Sequence, residues 1–336
     1  MNTVPTGEVI EKAVLFAGRA SPLHNTQPWR WVFSKGALDL FSVPDRMLPA
    51  TDPSGRQMII SCGIALDHLH AALAAAGWHI VVERFPDPNR HEHLATVRFT
   101  PARIVTGADR DRADAIVRRR TDRLPFAEAT GWDDFETVLR SAFDPADATL
   151  DVLPEDSRPA LARASELTAS LRRYDSGYHA ELQWWTGHVV HAAGIPREAL
   201  ISPEERQRVT VARTFPVTAN EPHRTEVAAD RSAILVLSTD HDSREDFLRC
   251  GQVLSAVLLE CTMAGYATCP LTHLTELSRA RVIVNKLISR NLAPQALIRV
   301  GIAPDTGGDD PAPTPRLPLS EILEITDPGA GEHPRD

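Results

Sequence analysis

Cysteine is scarce in this 336-residue chain, and its four occurrences include no Cys-x-x-Cys pair. So few, unpaired cysteines do not suit the disulfide framework of a small secreted protein or the ligand spacing of a structural zinc site. We therefore expect the four cysteines to be small buried residues: Cys62, Cys250, Cys261 and Cys269. One of them could lie near a ligand.

Long apolar runs and an excess of basic charge are also missing. No stretch reaches the roughly 18 uninterrupted apolar residues of a membrane helix, and residues 1–15 carry Glu8 and Glu11 where a secretory signal would be basic. The 36 Lys and Arg residues stand against 45 Asp and Glu residues, a formal net charge of -9. These features predict a cytoplasmic globular protein that binds neither membranes nor nucleic acid, and they still allow a local basic pocket.

Several familiar signatures of enzymes are absent as well. The sequence contains no Gly-x-Gly-x-x-Gly, no Gly-Lys-Ser/Thr and no Gly-x-Ser-x-Gly, which disfavours a dinucleotide-binding Rossmann domain, a phosphate loop and a serine hydrolase. The 13 histidines are poorly spaced for a metal. His68 and His70 occupy positions i and i+2 of a predicted helix and do not share a face, while His91 and His93 lie in a polar linker without a third ligand nearby.

What the chain does contain is an internal repeat. Residues 56–63 (RQMIISCG) and 244–251 (REDFLRCG) each lead into a helical run that is apolar on nearly every face, as a central buried helix requires. Two buried helices that converged on small residues are the alternative explanation. Duplication is a better explanation than convergence, because four landmarks match without a gap: Arg56 with Arg244, Cys62 with Cys250, Gly63 with Gly251, and Gly77 with Gly265.

The flanking segments extend the repeat. Residues 38–42 and 94–99 in the first copy, and 234–238 and 296–301 in the second, have the β-branched bias of strands. We predict an α+β chain whose first copy spans 1–110 and whose second copy spans 111–304, followed by an extended arm over 305–336. The second copy begins with the basic run at Arg118 and continues through a helix over 133–143 and a strand over 149–153. An insertion at about 183–229, long and punctuated by proline, is predicted to be a functional lid.

The first chemical motif follows a predicted amphipathic helix over residues 7–19. Residues 21–31 have the sequence SPLHNTQPWRW. A polar turn leading into a strand is one explanation. The run Asn-Thr-Gln-Pro-Trp, however, resembles the Pro-Ser-x-x-Asn-x-Gln-Pro-Trp loop of the nitroreductase family. That resemblance implies contacts with the ribityl chain and ring of FMN from Ser21, His24, Asn25 and Gln27.

The second motif is the basic run over residues 118–123 (RRRTDR). Taken alone, it is equally typical of a solvated charged segment. It resembles the Arg-Arg-Ser-x-Arg segment of nitroreductases, and arginine offers a planar fork suited to a phosphate dianion. The resemblance implies that the FMN phosphate is held by Arg119, Arg120, Thr121 and Arg123, with Arg316 as the counterpart of a late basic residue of the family.

The third motif comprises residues 265–272 (GYATCPLT) at the end of the second central helix. A helix C-cap that runs into a strand beginning at an X-Pro pair explains the same residues without a ligand. The segment is also similar to the Gly-Leu-Gly-Thr-Cys-Pro-Ile-Gly turn of the family. That similarity implies a position along the flavin ring for Cys269, Pro270, Leu271 and Thr272.

The motifs are divided between the two copies. The first copy holds the Asn-Thr-Gln-Pro-Trp loop, while the second copy and the tail hold the rest; residues 143–147 (FDPAD) stand where a second such loop is expected. Nitroreductases are homodimers that assemble each FMN site from both subunits. The chain thus resembles the Acg-type nitroreductase-like flavoproteins, which implies a monomer that forms an intramolecular pseudo-dimer around one FMN.

The resemblance implies reduction of a nitroaromatic or quinone-type small molecule, with NADH or NADPH as the electron donor. The flavin supplies the chemistry in such proteins, so we assign no general acid or base. Two alternatives stay open. The chain could store or sequester FMN beneath the lid without turnover, or it could be a flavin-free scaffold.

Overall fold

The computed structural model describes residues 4–187, 193–219, 221–304 and 313–326. Within these residues the helices are α1 (Gly7–Ala17), α2 (Arg56–Ala75), α3 (Gly107–Arg118), α4 (Trp132–Ser141), α5 (Arg158–Leu171), α6 (Ser176–Gly187), α7 (Pro203–Arg208), α8 (Arg244–Met263), α9 (His273–Glu276), α10 (Ser278–Ile288) and α11 (Leu319–Ile322). The strands are β1 (Trp29–Ser34), β2 (Ala37–Ser42), β3 (Trp78–Arg84), β4 (His93–Pro101), β5 (Thr149–Leu153), β6 (Ala233–Thr239), β7 (Ala267–Leu271), β8 (Ala293–Gly301) and β9 (Leu323–Ile325).

The strands form two sheets of equivalent topology. The first has the order β3-β4-β2-β1-β9 and the second the order β5-β6-β8-β7. Strands β1 to β4 therefore correspond one to one with β5 to β8, and every corresponding pair is antiparallel. The pairing even shifts at equivalent places, between Leu40 and Phe41 in β2 and between Leu237 and Ser238 in β6. This correspondence supports the predicted duplication.

The two central helices pack directly against each other. Helices α2 and α8 are both 20 residues long and begin at the matched residues Arg56 and Arg244. They approach most closely at another matched pair, because a Cβ atom placed on Gly63 would lie only 2.2 Å from the carbonyl oxygen of Leu248 and 2.8 Å from the Cα atom of Gly251. Only glycine permits such an approach of two backbones.

Helix α2 is the core of the first half. It is long and apolar enough to cross a membrane by length and composition, but 78% of its most apolar window is buried inside the protein. Its buried side chains, among them Ile59, Leu66 and Leu69, share one apolar cluster with residues of α8 and of both sheets. Burial on nearly every face explains the apolar run without a membrane.

Two predicted boundaries differ from the bounds of the elements in the structure. The division between residues 110 and 111 falls inside α3, which Thr106 caps at its N-terminus, so the helix begins before the predicted start of the second half. The insertion is longer than predicted: residues 154–232 join β5 to β6, whereas residues 35 and 36 suffice between β1 and β2. Helix α5 has an ordinary pattern of buried residues, and for that reason it could not be told from a helix of the basic fold. Of the predicted lid, residues 188–192 and 220 lie outside the described residues.

The predicted arm is only partly extended. Its described part contains α11 and β9, and β9 joins the first sheet in parallel with β1, with Leu323 opposite Trp31. The chain that leaves the second half thus returns to complete the sheet of the first. Residues 305–312 and 327–336 of the predicted arm lie outside the described residues.

Candidate functional site

A cavity of about 830 Å³, measured out to its mouth, lies between the two halves. Helix α2 contributes Gln57, Ile60, Ser61 and Ile64 to its wall, and the insertion contributes Ile201, Ala212, Arg213 and Phe215. The residues predicted from sequence that line it are Ser21, His24, Thr121, Arg123, Cys269, Pro270, Leu271 and Thr272.

The loop before β1 forms one wall and has an unusual backbone. His24, Asn25 and Gln27 have φ angles of 51°, 61° and 49°, a region that few residues other than glycine adopt. Such conformations persist where surrounding contacts enforce them, and they cluster at functional sites. Here the backbone N–H of Leu23 donates to Ser61 Oγ at 3.3 Å, and Arg46 Nη1 donates to the carbonyl of Gln27 at 3.1 Å.

Asn25 and Gln27 belong to this loop but do not line the cavity. The Asn25 Nδ2 atom donates to the carbonyls of Gly194 and Pro315 at 3.0 and 3.1 Å. The Gln27 Oε1 atom accepts from the backbone N–H of Leu317 at 2.8 Å. Both side chains are buried. They tie the loop to the insertion and to the returning arm, and their contact with FMN stays a prediction.

The opposite wall comes from the second half. The backbone at Thr121 pairs in parallel with Thr268, and the N–H of Asp122 donates to the carbonyl of Thr268 at 2.9 Å. This pairing aligns the basic segment with β7, where Cys269 lies. Burial raises the pKa of the Cys269 thiol, so this side chain is a neutral part of the wall and not a thiolate nucleophile.

One end of the cavity carries two arginines, from the basic segment and from the insertion. The Arg123 guanidinium donates to the carbonyl of Ala199 at 3.1 Å and lies 5.6 Å from the ring centroid of Phe215. Arg213 forms a buried ion pair with Glu276 and donates to Thr272 Oγ1 at 3.1 Å.

His24 lies at the same end, with its ring centroid 5.9 Å from that of Phe215. Burial, followed by the charges of Arg213 and Arg123, holds the pKa of His24 well below its ordinary value. The imidazole is therefore neutral at pH 7.

The remaining predicted arginines lie elsewhere. Arg119 is 5% exposed, and its Nε and Nη1 atoms have no hydrogen-bond partner among the described residues. Burial, and then the charge of Arg19, lowers the pKa of Arg119 to about 10. Arg316 donates from Nε to the carbonyl of Gly18 at 2.8 Å, and burial followed by Arg19 and Arg119 lowers its pKa to about 9. Arg120 is exposed.

The buried Arg119 and the half-buried Arg19 and Arg316, together called the arginine group, lie close enough to repel one another. No carboxylate of the described residues forms an ion pair with Arg19, Arg119 or Arg316. Buried charges are normally paired, so an arginine group without an acid is typical of a place where an anion binds. Ser21 and Thr121, which line the cavity, follow Arg19 and Arg119 in the chain by two residues each.

Polar atoms without partners surround the cavity. Ser21 Oγ, His24 Nε2, Gln57 Nε2 and His273 Nδ1 are buried and make no hydrogen bond to any described residue. Leaving such a group unsatisfied costs about 1–3 kcal/mol, and native proteins usually avoid it. Several such atoms around one cavity indicate a polar ligand with multiple donors and acceptors.

Sequence reasoning missed some of these residues. Gln57, Ser61 and His273 were not predicted, nor were Arg213 and Phe215 of the insertion. A signal was available for two of them, because Gln57 and Ser61 are polar residues spaced i and i+4 on an otherwise apolar helix. The other positions depend on the path of the insertion, which no local pattern reveals.

The equivalent place in the other half is filled. In the repeat, Thr272 corresponds to Arg84, Ser61 to Arg249 and Ile64 to Gln252. The Arg84 guanidinium donates to Gln252 Oε1 at 3.1 and 2.9 Å, and Arg249 pairs with Asp147 at 2.6 Å. The cavity is lined by Ser61, Ile64 and Thr272. At the equivalent positions of the other half, long hydrogen-bonded side chains fill the space.

Comparisons with known proteins give close relatives. The chain is 52% identical over 324 residues to the Mycobacterium tuberculosis protein named "Putative NAD(P)H nitroreductase acg", an alignment that covers 96% of this chain and 98% of the relative. It is 38% identical over 330 residues to "Putative NAD(P)H nitroreductase Rv3131" of the same species, covering 96% and 94%. No protein-family model matches. A crystal structure of a putative nitroreductase from Anabaena variabilis covers 90% of both chains at 10% identity with a TM-score of 0.50, so the two share their fold.

Proposed function

Because this chain belongs to the Acg-type family of nitroreductase-like proteins and has the α+β nitroreductase fold, we propose that it binds one FMN in the cavity between its halves. With NADH or NADPH as donor it reduces a nitroaromatic or quinone-type small molecule. The observation that carries the proposal is the cavity itself, which both halves line and around which buried polar atoms lack partners. The filled equivalent place around Arg84 supports a single flavin per chain.

The residues present suit FMN along the length of the site. Apolar side chains of α2 and α8, such as Ile60 and Leu254, would cover one face of the ring. Ser21 and Gln57 offer partners for the polar edge and the ribityl hydroxyls. The arginine group at Arg119 would hold the phosphate through charge-assisted hydrogen bonds. Bound FMN supplies the hydride-accepting chemistry, and the chain binds and orients it.

The sequence-based phosphate site needs one revision. Arg123 was grouped with Arg119, but Arg123 lines the cavity beside Phe215 whereas Arg119 does not line it. We therefore assign Arg119 and Thr121 to the phosphate and Arg123 to the ring. We assign Arg316 a structural role in place of direct contact with the phosphate, because its guanidinium donates to the carbonyls of Gly18 and Ala20 at the end of α1.

Single-residue variants test this assignment. Arg119→Ala should weaken FMN binding about tenfold to hundredfold, since a hydrogen bond to a charged group contributes about 1.5–3 kcal/mol, and the double variant with Arg123→Ala should release FMN altogether. Arg118→Ala removes an exposed arginine of the same run and is the matched control. Flavin absorbance of the purified proteins gives the result. Unchanged flavin content in the double variant contradicts the proposed site.

Turnover is tested separately, under anaerobic conditions. We expect the flavin absorbance to bleach when NADH or NADPH is added and to return when a nitroaromatic or a quinone follows. A yellow protein that neither cofactor reduces is not a reductase.

FMN storage is the second candidate, and contacts of the insertion favour it. The buried pair of Arg213 with Glu276 and the bond from Asn25 to Gly194 fix the insertion against both halves, and the bond from Arg213 to the Tyr178 hydroxyl at 2.9 Å joins two parts of the insertion. A nicotinamide has to displace these contacts to reach the ring. Glu276→Gln weakens the ion pair; if only this variant is reduced by NADPH, the wild-type chain is a closed store.

A monomeric, cytoplasmic state completes the proposal. The site draws both of its walls from one chain, so a second copy is not needed to form it. The molar mass in solution, measured by light scattering, should be that of one chain of 36.9 kDa.

A further inference from the structure

A fully buried histidine on α2 has no role in the site described so far. His68 is 0% exposed, and neither ring nitrogen makes a hydrogen bond of ordinary geometry within the described residues, although the backbone of Phe16 lies close enough to raise its pKa against the effects of burial and of Arg119. Burying such a ring without partners is costly. The position therefore indicates that a bound ligand, or a group that binds together with a ligand, supplies a hydrogen-bond partner for the ring.

The helix places this ring in line with the cavity. Gln57, Ser61 and Ile64 line the cavity, and His68 continues the same face of α2 at the spacing i, i+4, i+7, i+11. At 1.5 Å per residue the face from Gln57 to His68 extends over about 16 Å. An elongated ligand that lies along this face would have one end at Gln57 and the other at His68.

The far end of that face meets the arginine group. Helix α3 packs on α2 where Ala71 joins Ala115 and Ile116 in one cluster. His68 lies one turn before Ala71, and Arg119 follows Ile116 by three residues. The charges of Arg119 and Arg316 both reach His68 and, after burial, lower its pKa well below the ordinary value.

Other charged groups also lie near His68. Arg112 of α3 also acts on the ring, but it pairs with Asp67 of α2 at 3.3 Å and with Glu260 of α8 at 3.0 Å. Arg19, two residues beyond the end of α1, acts on Arg119 and likewise pairs with no acid of the described residues. Arg119, Arg316 and Arg112 thus all act on His68 with positive charge, and of these three Arg112 alone pairs with carboxylates of the described residues.

We propose that His68 is a binding residue for the phosphate monoester end of the ligand, and that it takes up one proton from solvent when the phosphate enters. The inference rests on the proposed FMN site and adds a residue and a proton to it. A phosphate dianion offsets most of the positive charge of the arginines: beside it a neutral imidazole gains a proton on one ring nitrogen, and that N–H donates to a phosphate oxygen. In the absence of phosphate, burial and the neighbouring arginine charges keep the same ring neutral.

The experiment compares FMN with riboflavin, which lacks the phosphate. Flavin-free protein is titrated calorimetrically with each flavin at pH 8, in two buffers of different ionisation enthalpy, so that protons taken up on binding are counted. At this pH free phosphate monoesters are already dianions, because their second pKa is about 6. Wild-type protein should take up close to one proton with FMN and none with riboflavin.

The variants are His68→Gln and His68→Leu, with His70→Gln as the matched control on the exposed side of the same helix. Both His68 variants should lose the proton uptake, and His68→Leu should lower the preference for FMN over riboflavin about tenfold to hundredfold. Riboflavin affinity should not change, which shows that the variants are folded. His70→Gln should behave as wild type.

The possible results separate the two proposals. If FMN binds and its preference and proton uptake are the same in both His68 variants as in wild type, His68 does not bind the phosphate and the FMN site stands. If neither flavin binds the wild-type protein, both proposals are overturned. Loss of uptake with riboflavin affinity intact supports both.

Discussion

The crossing of α2 and α8 offers the sharpest test of the fold. Gly63→Ala places a Cβ atom 2.2 Å from the carbonyl oxygen of Leu248, and Gly251→Ala places one 2.1 Å from the carbonyl oxygen of Ile60. Both obstacles are backbone atoms, which cannot rotate away as a side chain could. The helices must therefore separate by about 1 Å to restore an ordinary contact.

The cost of that separation can be worked out in two parts. A gap of about 0.5–1 Å forfeits a quarter to a half of the dispersion attraction between the facing side chains, and overpacking of a core typically costs about 1–3 kcal/mol or more. Alanine is better than glycine inside a helix by about 1 kcal/mol, which offsets part of this cost. We expect a net loss of about 1–2 kcal/mol in the free energy of unfolding for each variant.

Urea unfolding followed by circular dichroism measures this loss. Gly107→Ala is the matched control, since nothing lies within 4 Å of the new methyl group at the start of α3, and it should be neutral or stabilising by up to about 1 kcal/mol. The double variant at Gly63 and Gly251 should cost less than the sum of the single ones, because one separation of the helices relieves both clashes. A Gly63→Ala protein as stable as wild type refutes the proposed close crossing.

Two further predictions concern the seam between the halves. Burial raises the pKa of Asp52 to about 6 from an ordinary 3.8. Because the pKa is higher in the folded than in the unfolded state, ionisation of Asp52 destabilises the fold. The loss in the free energy of unfolding is zero below pH 3.8 and at most about 3 kcal/mol above pH 6. Asp52→Asn, which keeps an oxygen acceptor for the Met58 N–H, should thus raise stability at pH 7.5 but not at pH 3.5, and an equal gain at both pH values contradicts the assignment. Truncation after residue 312 removes β9 and the bond from Leu317 to Gln27, so the shortened chain should lose FMN and unfold at a lower temperature in a thermal melt; full flavin retention argues against a role for the arm.

The repeat made most of the fold predictable. Matching landmarks from Arg56 and Arg244 identified the two central helices, and the strand over 149–153 has the bounds predicted for it. These features depend on local periodicity and on an apolar pattern that burial imposes on both faces of a core element. The α+β nitroreductase fold expected from the motifs is confirmed by the relatives and by the solved structure of the same fold.

Long-range pairing marks the limit of prediction. Nothing in the sequence around Arg213 specifies that it pairs with Glu276, and nothing around Arg123 tells that it faces Phe215 while Arg119, four residues earlier, lies beside α2. The basic run has one composition but two environments, because its segment passes along the cavity from the arginine group to the insertion. The environment of each arginine depends on the tertiary path of other elements, and charge composition alone does not predict that path.

The two halves share one fold and differ in the side chains that decide whether a cavity exists. At equivalent positions of α2 and α8 stand Ser61 and Arg249; at equivalent ends of β3 and β7 stand Arg84 and Thr272. The short side chains of Ser61 and Thr272 leave space for a ligand, and the backbone beside them offers hydrogen-bond partners. The long side chains of Arg84 and Arg249 extend into the equivalent space of the other half and pair with Gln252 and Asp147. A few large polar side chains can therefore close one of two symmetric sites without altering the backbone, while the insertion and the arm are added on the side that stays open.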